Sequence, residues 1–252
     1  MPEQDSALKD LFLLPDVAAN FVNAYACGGQ EKILPSFVKP LPTETELFVG
    51  DRFSKLIRDV CLKICGSALR FVWLGFEFQS RVDPNMAARV FAYDAALVQK
   101  RLREERNALI PPVVTFVLYF GQKPWNAPTS LRERTDFDVE FPRELEPFCA
   151  DYKMNLVDFS ALPKNVVRAL NPDLYALAEI CRCARDRDDY VGDGNALTHP
   201  RETLRAASAV TGLQSYSQFY HDASADQLRS FKMDYAWESA EKRGFDRGCA
   251  QG

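Results

Sequence analysis

Apolar positions recur with two different periods along this chain, and the changes between them mark out its elements. From about Asp5 to Ala26 the spacing is helical: Leu8, Leu11 and Phe12 fall on one side, and Val17, Phe21, Val22 and Tyr25 follow. Pro15 divides that helix in two, and Gly28-Gly29 stops it. Residues 34–47 hold Pro35, Pro40 and Pro42 and read as loop or extended chain. The runs 60–64 and 71–78 are short, apolar and joined across a Gly66-Ser67 turn, so the pattern predicts two antiparallel neighbouring strands. Asp83-Pro84 has the form of a cap and first-turn proline opening a helix to about Asn107, with Met86, Val90, Tyr93 and Leu97 facing the core. Residues 113–119 form a continuous apolar run rich in β-branched residues, as expected for a central strand covered on both faces, and 154–159 a shorter strand. Two helical stretches follow, 165–187 and about 199–212, on either side of a Gly192-Asp193-Gly194 turn. In the polar tail Gly244, Gly248 and Gly252 recur every four residues, a spacing at which two helices could approach closely or the end could fray.

The candidate chemistry lies in the paired strands. Alternate side chains of a strand share a face, so Glu77 and Gln79 point one way and Phe78 the other. With Asp59 on the adjacent strand, two carboxylates and a carboxamide converge at one edge. Hard divalent cations take oxygen ligands of this kind, and the Phe78 carbonyl and waters could complete the set around Mg²⁺ or Mn²⁺. Such an ion would polarise a phosphodiester and acidify a water. A solvated pair of strand ends is the bland alternative. Lys63 shares strand parity with Asp59, but four residues at about 3.3 Å each separate them, so only its long side chain could fold back. Gln79 cannot act as a general base, because a neutral amide takes up no proton near neutrality; it can only orient water or phosphate.

Composition narrows the classes. With 47% hydrophobic and 26% charged residues over 252 positions, the chain is that of a soluble globular protein with a substantial core. Its beginning, Met-Pro-Glu-Gln-Asp, lacks a secretory pattern, and no apolar run is long enough to span a bilayer, so a cytoplasmic location with no membrane partner is expected. Seven scattered cysteines suit reduced thiols, and with only two histidines a zinc site is disfavoured. No serine sits in a nucleophile-elbow pattern, which argues against a serine hydrolase. The net charge of −4 is unlike a protein that coats nucleic acid throughout. Residues 1–125 nonetheless carry 15 Lys or Arg against 14 Asp or Glu, and the acidity sits in the second half, so a local basic track is required.

Several ordered motifs resemble the Rpn family of recombination-promoting nucleases and YhgA-like transposases, a branch of the PD-(D/E)XK nuclease superfamily. They begin with Asp5-Ser-Ala-Leu-Lys9-Asp-Leu-Phe12 and Arg58-Asp59-Val60. Glu77-Phe-Gln79-Ser80 follows, with Asp83, Met86, Arg89 and Tyr93. Further on come the stretch from Pro112 to Gly121, Trp125, the stretch from Tyr152 to Asp158, and the closing Glu-Lys-Arg-Gly-Phe-Asp-Arg-Gly. Two departures stand out: Gln4 where the family commonly has His, and Arg58 where a small residue is common.

The resemblance implies an α/β fold, a restriction-endonuclease-like core with a central mixed β-sheet flanked by helices, plus a C-terminal helical appendage. The expected domains are 1–164 for the nuclease, 165–234 for the helical region and 235–252 for the polar tail. It implies DNA as partner, with a homodimer left open, and Asp59 and Glu77 as metal ligands. Gln79 then stands where many superfamily members have lysine, and Lys9 is the better relocated lysine because it lies in a family motif, with a surface lysine as the alternative. Asp5 could add a carboxylate or hold Lys9 across one helical turn. Arg89, Ser80 and Arg58 are the candidates for substrate contact; Arg89 could instead brace the site, and Arg58 could tune or crowd the carboxylate it precedes. Tyr119 and Trp125 are read as packing residues. A second reading keeps the fold without catalysis, as a silent binder of nucleic acid or of a protein. Retention of both acids favours the enzyme.

Overall fold

The computed structural model describes residues 2–49, 52–66, 71–137, 140–188 and 194–213, with single residues besides among 190–232; for 2–5, 47–49 and 52–54 it describes the backbone only. In chain order the elements are α1 (Pro2–Phe12), α2 (Pro15–Ala26), β1 (Val38–Pro40), β2 (Glu44–Val49), β3 (Arg52–Ile57), β4 (Val60–Ile64) and β5 (Val72–Gln79). There follow α3 (Met86–Glu104), β6 (Val113–Tyr119), β7 (Asn155–Asp158), α4 (Lys164–Val167), α5 (Pro172–Asp186) and α6 (Pro200–Thr211). The chain divides into two compact units, one of residues 40–119 and 124–157, the other of residues 1–39, 120–123 and 158–252.

The first unit is built on a five-stranded sheet in the order β1-β4-β5-β6-β7, whose edge strands contain the unit boundaries. β5 runs antiparallel to β4 and parallel to β6, so the sheet is mixed. Its register aligns Gly75, Glu77 and Gln79 with Thr115, Val117 and Tyr119 on one face. α3 lies over that face, because Met86, Ala87 and Val90 recur at helical spacing and pack with Val117 and Met154 into one buried cluster. On the opposite face Phe76 and Phe116 stack with ring centres 6.2 Å apart. This is the α/β architecture of a restriction-endonuclease-like core. β2 and β3 form a separate antiparallel pair.

The second unit is helical. Arg205 on α6 donates to Asp10 on α1 at 2.5 Å, and His199 meets Asp16 on α2 at 2.7 Å. Phe12, Phe21 and Phe159 cluster, with ring centres 5.8 to 6.4 Å apart. Arg185 closes the packing with two 2.8 Å bonds to the Asp158 carboxylate and one of 2.6 Å to the Gly121 carbonyl.

Residues 44–47, within the stretch read as loop or extended chain, are extended as the start of β2, which pairs with β3. Two sequence expectations need correction. The helix expected over 165–187 is broken, because Pro172 cannot continue it and instead starts α5, capped by the Asn171 side chain accepting from the Leu174 N–H at 3.0 Å. α3 opens at Met86, past Pro84, while Asp83 accepts the Asn85 N–H in the preceding turn at 2.8 Å. Ser67, Asp193 and the glycines of the tail lie outside the described residues.

Candidate active site

Asp59 occupies the bend just before β4, and Glu77 lies within β5. Val60 pairs with Phe76, so continuing this antiparallel register by one step sets Asp59 opposite Glu77. The Phe78 N–H, next along β5 from Glu77, donates to Asp59 Oδ2 at 2.8 Å.

Glu77 is 1% exposed, and its Oε1 has no hydrogen-bond partner. Burial pushes its carboxyl up to about 8, and the neighbouring Asp59 carboxylate pushes in the same direction; Arg58, Arg89 and the Asp59 amide oppose them. An unpaired buried carboxylate is expensive, whereas a proton or a cation beside it removes the cost.

Behind the pair stands a buried polar network. Arg58 is 0% exposed. Its Nη1 donates to Thr115 Oγ1 at 2.8 Å, and its Nη2 donates to Asp94. Asp94 also accepts from Thr115 Oγ1 at 2.7 Å and from the Tyr152 hydroxyl. Burial and the bond to Asp94 hold the Tyr152 phenol in its protonated form. The guanidinium fills the space over Gly75, where an added Cβ would lie 2.3 Å from Nη1. Cys61, paired with Gly75, is buried and its thiol is raised by that burial.

The other sequence candidates are distributed as follows. Gln79 follows Glu77 on the same face and is half-buried; Ser80 is exposed just past the strand end. Arg89 pairs with Asp83 at 2.8 Å and reaches the Tyr93 hydroxyl at 3.4 Å. Arg58, a candidate for substrate contact in the sequence, directs its guanidinium inward to Asp94 and Thr115. Lys63 places its Nζ 4.2 Å from the centre of the Phe71 ring. Lys9 lies in the last turn of α1, in the helical unit, and the Asp5 side chain lies outside the described residues. Tyr119 and Trp125 pack edge to face, 5.1 Å between centres.

The network partners Asp94, Thr115 and Tyr152 were not among the sequence candidates. Asp94 carried a signal: it stands four residues after Val90 and three before Leu97, an acid on an apolar stripe.

The residues fit a divalent cation. Two adjacent carboxylates, one with an orphaned oxygen, are what a Mg²⁺ ion that keeps several of its own waters requires. Among the described residues no group of three or more His, Cys, Asp or Glu side chains gathers, so backbone or water oxygens would supply the remaining ligands. No helix among them is long and apolar enough to cross a membrane.

Among curated proteins the chain is similar to "Recombination-promoting nuclease RpnD" of Escherichia coli O157:H7, 23% identical over 126 residues, and the match spans about half of each chain, 48% of both. No solved structure matches. A family model described as "Putative transposase, YhgA-like" matches residues 2–206, a span that contains both carboxylates and the network behind them. The chain therefore belongs to the YhgA-like transposase family, which its curated relative connects with recombination-promoting nucleases.

Proposed function

We propose that this protein is a metal-dependent DNA endonuclease of the recombination-promoting type, hydrolysing phosphodiester bonds with Mg²⁺ or Mn²⁺ held by Asp59 and Glu77. The observation that carries this reading is the buried, unpartnered Glu77 Oε1 beside the Asp59 carboxylate, an arrangement that is costly in isolation and favourable around a cation. A cation held there would polarise the scissile phosphate and acidify a water. The protein's own contribution is to orient. Gln79, on the same face as Glu77, can donate an N–H to a phosphate oxygen and accept from a water, but it cannot take the proton. Arg89, half-buried and close enough to Glu77 to act on its charge, offers a cation to a phosphate beside the metal ligands.

A second reading, a nuclease fold that binds DNA or a protein without cutting, is favoured by one feature: Gln79 stands where a general base would be expected. One experiment separates the two. Purified protein is incubated with supercoiled plasmid and Mg²⁺, with and without chelator, beside Asp59→Ala and Glu77→Ala. Nicking that needs the metal and both acids supports the enzyme; binding without nicking supports the silent protein.

A further inference from the structure

Asp59 lies outside every strand ladder. It is the bend residue between β3, which belongs to the two-stranded sheet, and β4, which belongs to the five-stranded one. Ladder pairing therefore does not fix the backbone of Asp59, whose carboxylate accepts from the Phe78 N–H of β5, whereas Glu77 is fixed within β5. What does hold the joint is the preceding residue. The Arg58 N–H donates to the Thr43 carbonyl at 3.0 Å, and its guanidinium is shared between Thr115 and Asp94. The same group lies 5.4 Å from the centre of the Tyr93 ring and occupies the gap that Gly75 leaves. A buried ion pair is a poor way to gain stability, since apolar residues of the same volume often do as well or better. A planar fork whose two terminal nitrogens donate to Thr115 and Asp94, while its buried Nε has no partner, does something apolar packing does not: it fixes a direction for the group.

We propose that Arg58 is a positioning residue, whose buried fork to Asp94 and Thr115 locks the joint between the two sheets and thereby aims the Asp59 carboxylate at the Phe78 N–H, beside Glu77. The inference rests on Asp59 and Glu77 being the metal ligands only for its consequence in catalysis. Its geometric content stands without metal.

The test uses the full chain. Arg58→Met combined with Asp94→Leu removes both charges at similar volume, leaving no lone buried ion. Arg58→Lys keeps the charge and loses the fork. Amide hydrogen exchange at Phe78 reads the Asp59 contact with no metal present, and Phe76, paired with Val60 in the ladder, is the internal reference. The expected result is a double variant that melts near the wild-type temperature and exchanges at Phe78 at least about tenfold faster, with Phe76 unchanged and Arg58→Lys intermediate. Unchanged exchange at Phe78 in the folded double variant overturns the proposal; if that variant does not fold, unchanged exchange in Arg58→Lys does so. A parallel Mn²⁺ titration is expected to show affinity about tenfold or more weaker in the variants, and equal affinity also counts against the proposal. A wild type that binds no Mn²⁺ overturns the metal reading alone, and the Phe78 exchange still decides for or against the lock.

Discussion

The guanidinium of Arg58 occupies the volume that any side chain on Gly75 would need: a Cβ there would sit 2.3 Å from Nη1 and 2.9 Å from Thr115 Oγ1. Gly75→Ala must therefore displace a group that has no exposed surface and no spare room. The expected loss is about 1–3 kcal/mol, typical of overpacking a filled core, read as a lower melting temperature. Metal affinity should weaken alongside it. A Gly75→Ala protein as stable as wild type would show that Arg58 can move at little cost.

Glu77 makes stability depend on pH in a direction opposite to an ordinary paired carboxylate. Its carboxyl is raised from 4.5 to about 8, chiefly by burial. Between those values the folded protein keeps a proton that the unfolded chain has released, so metal-free stability falls as pH rises through the window and levels off above it. The total is on the order of a few kcal/mol. Glu77→Gln should flatten that part of the profile, and Mg²⁺ should restore stability to the wild type at the alkaline end but not to the variant. Denaturant midpoints from pH 5 to 9 would check both.

Gln79→Lys should be tolerated or should raise activity. The position follows Glu77 on one sheet face, half-buried at the strand end, where an ammonium can reach solvent and a phosphate. Plasmid nicking by the variant at or above the wild-type rate is the expected outcome. A well-folded variant with no activity would mean that the amide has a role lysine cannot fill.

In the helical unit, Asn171→Ala should cost about 1 kcal/mol, because the side chain accepts the otherwise unpaired Leu174 N–H at the start of α5. Cleavage should persist, since the residue takes no part in the candidate site. The comparison is a urea midpoint against a nicking rate.

The elements nearest the site were the most legible in sequence. Apolar runs on either side of a glycine turn placed β4 beside β5, and the parity of Glu77, Phe78 and Gln79 assigned the faces. The strand Val113–Tyr119 agreed at both ends, because an uninterrupted apolar run rich in β-branched residues has few other readings. The network behind the site was harder to see. Asp94 and Tyr152 are 58 positions apart and meet only through the fold. Arg58 and Asp94 have the composition of surface residues, and periodicity alone does not say that two opposite charges will be buried together. The break before Pro172 was carried by a local signal, but it lay inside a longer pattern that pointed to a continuous helix.

The central claim is that Asp59 and Glu77 hold one cation between them. Calorimetric titration of Mn²⁺ into the metal-free wild type, Asp59→Ala and Glu77→Ala measures this without reference to any substrate. One site per chain is expected in the wild type, with affinity lowered at least about a hundredfold in each variant while the folded spectrum is retained. A wild type that binds no Mn²⁺, or two variants that bind it as tightly as the parent, would contradict the account.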